Sequence, residues 1–213
     1  MKPNKKIRVL LVDDHVAVLM GLRACFKHEP DLVVVAEAMD GQQAIEQYRA
    51  HQPDITLMDL RLPRLGGVEA TRTICQEFPE ARIIALTTRQ GDEDIHRAMV
   101  AGARSYITKN LPTELMLTAI RSLHEGRDYL PTEVQVALQE RHGRTPLTAR
   151  EQEVLDLLAR GGSNKEIASA LGTAEITVKK HIGHILEKLD VLDRSQAVVM
   201  ALRRGLIHLD ETH

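Results

Sequence analysis

Rings and thiols are scarce in this chain. Of 213 residues none is tryptophan, two are phenylalanine and three are tyrosine. All of these rings, Phe26, Tyr48, Phe78, Tyr106 and Tyr129, precede residue 130. The C-terminal third therefore has no aromatic platform on which single-stranded bases would stack, and any nucleic acid it binds is expected to be duplex. The two cysteines, Cys25 and Cys75, lack CxxC or Cys/His spacing. That argues against a disulfide framework or a zinc site and leaves two reduced core thiols. Long apolar runs are missing too: none approaches the roughly 20 residues needed to cross a bilayer, and the start Met1-Lys2-Pro3-Asn4-Lys5-Lys6 carries no secretory apolar stretch. The expectation is a cytoplasmic protein with no membrane partner. Nor does charge of one sign prevail, since 28 Lys and Arg face 30 Asp and Glu for a net of −2. Affinity for nucleic acid has to be read locally.

What is present is an ordinary globular composition, 43% hydrophobic and 27% charged with 13 Gly and 8 Pro. It excludes disordered and collagen-like classes. At about 100 to 200 residues per domain, the length fits one large domain or two small ones. Short apolar runs at Ile7–Val12, Leu32–Ala36, Ile55–Asp59, Arg82–Thr87 and Ser105–Thr108 alternate with amphipathic stretches of helical period. This predicts an α/β domain with a doubly wound five-stranded parallel sheet over residues 1–126. Residues 127–146 read as a helix from Pro131 to about Arg141 and a linker, His142-Gly143-Arg144-Thr145-Pro146. From 147 to 213 the pattern is all helical. Two Ser/Thr-x-x-Glu capping boxes, Thr148 to Glu151 and Ser163 to Glu166, open helices that end at Gly161-Gly162 and Gly172. A third helix spans Glu175 to Leu189, and a fourth runs from about Asp193 to Arg204, stopping at Gly205.

Doubly wound sheets place their ligands at the carboxyl ends of the strands. There the sequence puts Asp13 and Asp14 after the first strand, Asp59 at the end of the third, Thr87 at the end of the fourth and Lys109 after the fifth. Three carboxylates crowded together repel, and a hard divalent cation with oxygen ligands, Mg²⁺ above all, relieves them. Asp59 is then placed as a nucleophile toward phosphorus, with the metal held by Asp13 or Asp14 together with Asp59. Lys109 and Thr87 take phosphoryl oxygens. Singly, each residue has a plainer reading: Asp14 as the N-cap of a helix starting near Val16, Thr87 as an ordinary strand end, Lys109 as a solvated cation. An aspartyl-phosphate phosphatase of the haloacid dehalogenase type would need a second acid two residues after the nucleophile. Arg61 stands there. No GxxxxGK[ST] loop or GxSxG elbow occurs, so the chain is not expected to be an enzyme.

The runs Val9-Leu10-Leu11-Val12-Asp13-Asp14, Leu57-Met58-Asp59-Leu60-Arg61-Leu62-Pro63 with Gly67 following, Ala85-Leu86-Thr87 and Gly102-Ala103-Arg104-Ser105-Tyr106-Ile107-Thr108-Lys109 resemble the flavodoxin-like receiver domain of two-component response regulators. The resemblance implies Asp59 as phosphoacceptor from a sensor histidine kinase, Asp13 and Asp14 as metal ligands, and Thr87 and Lys109 as switch contacts. Tyr106 matches an aromatic switch position whose ring turns inward when Thr87 moves toward the phosphoryl group. Asn110 stands where many receivers have proline. Arg61 and Arg89 flank the route of an attacking water and are candidates for tuning the phosphoryl lifetime.

In the third C-terminal helix, Val178, Ile182, Ile185 and Leu189 form the packing face, while Ile176, Lys179, Lys180, Gly183 and Glu187 lie opposite. Lysines near a helix start gain nothing from the macrodipole, which points to an external anion. From His142 onward, however, ten basic residues balance ten acidic ones, so a solvated face is the plain alternative. Leu147-Thr148-Ala149-Arg150-Glu151, Ser163-Asn164-Lys165-Glu166-Ile167-Ala168, Thr177-Val178-Lys179-Lys180-His181-Ile182 and Lys188-Leu189-Asp190-Val191 with Arg194-x-Gln196-Ala197 resemble the four-helix helix-turn-helix domain of the LuxR/NarL class. That resemblance implies a recognition helix in the major groove, with Lys179 and Lys180 reading base edges. It implies further that Lys165, Thr177, His181 and Lys188 contact phosphate or hold the frame. Ala174 stands where this class often has an N-capping serine, so Thr173 is the remaining candidate cap. His181 and His184 lack the further ligands of a metal site. The expected whole is a transcriptional regulator that binds promoter DNA as a homodimer on phosphorylation, with RNA polymerase a candidate partner. The rival is a constitutive DNA-binding dimer.

Overall fold

The structure is a computed structural model, described for residues 6–88 and 91–208. It divides into two compact units, the first built mainly from residues up to Gln135 and the second mainly from Val136 onward. The break falls inside a helix, within residues 127–146.

In the first unit five strands, β1 (Ile7–Val12), β2 (Leu32–Ala38), β3 (Ile55–Asp59), β4 (Ile83–Thr87) and β5 (Ser105–Thr108), pair in parallel in the order β2-β1-β3-β4-β5. The β2 strand runs two residues beyond the expected Ala36 because Glu37 and Ala38 stay in register with Leu11 and Val12. Between the strands come α1 (Val16–Lys27), α2 (Gly41–His51), α3 (Gly67–Glu77) and α4 (Asp92–Val100), and α5 (Thr113–His124) follows β5.

Side-chain alternation splits the core into two layers. From β1, Ile7, Val9 and Leu11 join Ile55, Leu57, Ile84, Leu86 and Ile107 beneath α1 and α5, where Leu19, Phe26, Met116 and Ile120 meet them. Leu10 and Val12 point the other way, with Met58 and Ile83, onto Ala44, Ile45 and Tyr48 of α2 and Ala70 and Ile74 of α3. A sheet buried on both faces needs near-continuous apolar strands, which is what these runs are. The chain leaves β1 toward β2 on one side and returns to β3 on the other. A crevice therefore opens at the carboxyl ends of β1 and β3.

Beyond α5, Ser105 Oγ donates to the Tyr129 carbonyl at 2.7 Å, which ties the segment after α5 to the sheet. The next helix, α6, spans Thr132–His142. The second unit comprises α7 (Ala149–Ala159), α8 (Asn164–Ala170), α9 (Glu175–Leu189) and α10 (Arg194–Arg204). Its core gathers Val154, Leu155, Leu158, Ile167, Val178, Ile185, Leu189, Ala197 and Ala201. Both capping boxes form as their spacing predicts, with Thr148 and Glu151 at the start of α7 and Ser163 and Glu166 at the start of α8. Asp193 caps α10 through the Gln196 N–H. Helix α9 begins without such help: Ala174 is its N-cap residue and supplies no side-chain acceptor.

No helix among the described residues is long and apolar enough to cross a membrane.

Candidate functional site

The crevice holds a buried charge cluster. Asp13, just past β1, is 0% exposed, and Asp59, which closes β3, is 3% exposed. Lys109 spans the two. Its Nζ lies 2.5 Å from Asp13 Oδ2 and 2.6 Å from Asp59 Oδ2. The Lys109 N–H donates to the Thr87 carbonyl at 2.7 Å, fixing the ammonium beside the end of β4. Thr87 is itself buried and stands one residue past Leu86, the register partner of Asp59.

Asp59 is held from below as well. The Arg61 N–H donates to its Oδ1 at 3.0 Å, and Gly67 packs so closely that a Cβ there would meet the Asp59 carbonyl oxygen at 1.9 Å. Glycine is required at that approach, because the turn from β3 into α3 folds directly over the carboxylate-bearing residue. Burial raises the Asp59 carboxyl above its ordinary range, and the Lys109 and Arg61 hydrogen bonds offset only part of that. Burial pulls the Lys109 ammonium down, but the adjacent Asp13 and Asp59 carboxylates outweigh this and raise it. The pocket thus keeps its cation firmly and the Asp59 anion reluctantly, a condition that favours adding positive charge.

Asp14 does not cap α1. His15 occupies the N-cap position without a side-chain hydrogen bond to the helix. Its N–H donates to Asp13 Oδ1 at 2.9 Å, while its Nδ1 faces Asp14 Oδ1 at 2.7 Å. Asp13, Asp14, His15 and Asp59 each offer a ligand atom, and these atoms lie within 4.8 Å of one another. Asp13 Oδ2 and Asp14 Oδ1 are buried and receive no well-directed hydrogen bond; their contacts with Lys109 and His15 are ones of charge and proximity. Oxygen-rich, under-bonded and anionic, this donor set fits a hard divalent cation. Sequence reasoning had overlooked His15, although its place directly after the Asp pair was the available signal. Tyr106 is 0% exposed, so its ring is already turned inward. Asn110 is exposed, and Arg89 lies outside the described residues.

On α9, Lys179 and Lys180 are exposed, and Thr177 and His181 are half-buried. Lys179 pairs along the helix with Glu175 at 3.3 Å, and Lys165 on α8 is exposed. The Lys188 ammonium is engaged within the domain: its Nζ lies 2.6 Å from Glu151 Oε2 and 3.1 Å from the Pro146 carbonyl. His184 faces the same glutamate, Nδ1 to Oε1 at 3.7 Å. Among the described residues His181 and His184 form no metal-ligating group.

Residues 9–121 match the model of the response regulator receiver domain, and residues 145–201 match that of bacterial regulatory proteins of the luxR family. The chain is a LuxR-family response regulator. It is 41% identical over 210 residues to the transcriptional regulatory protein LiaR of Bacillus subtilis, covering 95% of this chain and 100% of that one. It is 39% identical over 206 residues to the response regulator protein VraR of Staphylococcus aureus, covering 94% and 99%. Among solved structures it resembles the response regulator ChrA of a heme-sensing two-component system, with 37% identity, a TM-score of 0.57, and 95% and 99% coverage. This response regulator therefore joins a receiver to a LuxR-type DNA-binding domain, and the strand-end pocket lies within the receiver.

Proposed function

We propose that this regulator accepts a phosphoryl group on Asp59 from a sensor histidine kinase and, so charged, binds promoter DNA as a homodimer through α9. The observation that carries the reading is the Lys109 ammonium set between the buried carboxylates of Asp13 and Asp59. It holds Asp59 at the rim of the crevice and provides a counter-charge for an incoming phosphoryl oxygen. In the transfer, an Asp59 carboxylate oxygen forms a bond to phosphorus as the bond from phosphorus to the donor imidazole nitrogen breaks; the kinase ring, carrying a proton on its other nitrogen, leaves as neutral histidine, and an acyl phosphate remains on Asp59. Asp13, Asp14 and Asp59 would hold Mg²⁺, whose chemistry is to neutralise charge on the phosphoryl oxygens. Thr87 donates to a further phosphoryl oxygen, and its movement is coupled to the packing of Tyr106. Because Arg61 takes the place where a phosphatase would keep its acid, the chain acts as a stoichiometric acceptor and not as a turnover enzyme.

In the DNA complex Lys179 and Lys180 lie at base edges, while Lys165, Thr177 and His181 approach phosphates. A single copy offers few cations, so useful affinity requires two half-sites. Residues 1–126 serve as the receiver, 127–146 as connection and 147–213 as the DNA-binding domain. RNA polymerase is the partner a bound activator would meet, and the cytoplasm is where kinase, DNA and polymerase coincide.

Intact mass after incubation with acetyl phosphate and Mg²⁺ tests the acceptor. The expected result is one added phosphoryl group on the wild type, with acetate released, and none on Asp59→Asn. A wild-type mass that does not change under acetyl phosphate or a phosphorylated kinase would overturn the reading. A gel shift indifferent to phosphorylation would leave a constitutive DNA-binding dimer instead.

A further inference from the structure

The exposed face of α9 carries an apolar side chain where a solvated helix would place a polar one. Ile176, the second residue of the helix, is 73% exposed. It borders a shallow surface depression with Thr177, Lys179 and Lys180. Val178, Ile185 and Leu189 are the buried residues on the other side of the helix, so Ile176 contributes little to the fold. At helical spacing Ile176, Lys180 and Gly183 fall on one stripe. It is about 10 Å long at 1.5 Å per residue, the length of about three base steps of a duplex.

Gly183 is a second, separate oddity on that stripe. It sits in mid-helix, where glycine costs about 1 kcal/mol relative to alanine, yet a Cβ built there meets nothing within 4 Å. Nothing inside the chain requires the missing side chain. An apolar knob, a cation and a gap in one row match a grooved anionic surface that presents a methyl group. In the major groove of DNA only thymine offers one, its C5-methyl.

We infer that Ile176 reads a thymine methyl in each half-site, and that Gly183 lets the helix approach the groove closely enough for it to do so. The inference rests on the DNA-binding reading above and adds to it a base preference carried by an uncharged side chain. Lys180 anchors the same row to an acceptor edge or phosphate nearby. Removing the methyl, or the side chain that meets it, loses the same contact, so the two changes are not additive.

The test begins with duplexes selected from a random pool by the full-length, acetyl-phosphate-treated protein. Each thymine of the selected half-site is then replaced in turn by deoxyuridine, which removes the methyl alone, and binding is followed by fluorescence anisotropy. For the wild type, one thymine position in each half-site is expected to be sensitive, and a single replacement there should weaken binding about fourfold, the value of one buried methyl. Ile176→Ala should bind the thymine duplex correspondingly more weakly, be insensitive to uracil at that position, and select sequences relaxed there. Because Ile176 is exposed, the variant keeps its fold, and the circular dichroism melt serves as the control. Uracil without effect at every thymine, or an Ile176→Ala protein as sensitive as the wild type, would overturn the inference while leaving DNA binding intact. Failure to select any duplex would sink the DNA-binding reading and the thymine contact with it.

Discussion

Lys188 near the end of α9 reaches back 2.6 Å to Glu151 in the first turn of α7. Glu151 is 3% exposed. The same carboxylate closes the capping box of α7 by accepting the Thr148 N–H at 2.7 Å. One buried side chain thus couples the start of the DNA-binding domain to α9. Burial pushes the Glu151 carboxyl up, but the Lys188 ammonium and the Thr148 hydrogen bonds more than offset this and hold it below the ordinary glutamate value of 4.5. A carboxylate lowered on folding stabilises the fold above its unfolded pKa, and that stabilisation drains away as pH falls through the folded value. The DNA-binding domain should therefore lose stability in the acid range below the ordinary glutamate pKa. Glu151→Gln should cost about 2 kcal/mol at neutral pH, by stranding the Lys188 charge, and should flatten the acid slope. Denaturant melts across pH check both; a variant as stable as wild type with an unchanged acid slope would show that the pair contributes nothing.

In the receiver, Lys109 is the cation that Asp13 and Asp59 share. Replacing it with methionine keeps the bulk and removes the charge, leaving two buried carboxylates facing each other. A loss of about 3 kcal/mol is expected in a metal chelator. Added Mg²⁺ should restore part of that loss, and should raise the melting temperature of Lys109→Met more than that of the wild type. Thermal melts with chelator and with Mg²⁺ decide it. Equal Mg²⁺ responses in the two proteins would mean that Lys109 and the metal ion do not compete for the carboxylates.

The receiver could be read from its sequence because its chemistry sits at strand ends, where short apolar runs announce both the strand and the place where it stops. Ile55–Asp59 gives β3 and its terminal carboxylate together. Capping boxes were equally legible, being encoded within four residues. What could not be read were contacts across long sequence separations. Lys188 looks like any basic residue of a DNA-facing helix until the fold brings Glu151 beneath it, 37 positions away. His15 was hidden for a different reason: next to two aspartates it reads as the first residue of a loop, and only the turn into α1 aims its imidazole at Asp14. The point at which the two units part inside α6 carries no signal of its own, because helical sequence continues across it.

Gly67 is the tightest point beside Asp59, and it predicts a sharp effect from a single methyl. A Cβ there would press on the Asp59 carbonyl oxygen at 1.9 Å and on Leu60 Cα at 2.8 Å. The backbone of the β3–α3 turn must then move. Gly67→Ala should destabilise the receiver by about 2 kcal/mol or more, and the folded fraction should take up acetyl phosphate more slowly, because the Asp59 carboxylate is shifted from Lys109. Mass spectrometry of the folded protein against time measures this. A variant that loses stability but labels at the wild-type rate would confine the role of Gly67 to packing.

Gly183 predicts the opposite combination. Its site on α9 is exposed and open, so alanine fits without a clash and should raise the stability of the DNA-binding domain by about 1 kcal/mol through helix propensity alone. If the missing side chain serves the groove, the added methyl sits where DNA must come close, and affinity for selected duplexes should fall about tenfold, the size of a modest overpacking cost. Gain of stability with loss of affinity is a combination that unfolding cannot mimic, since a damaged domain would lose both. A Gly183→Ala protein that is more stable and binds as tightly as wild type would instead show that the duplex stands clear of this position, and that α9 enters the groove tilted toward Ile176 and Lys179.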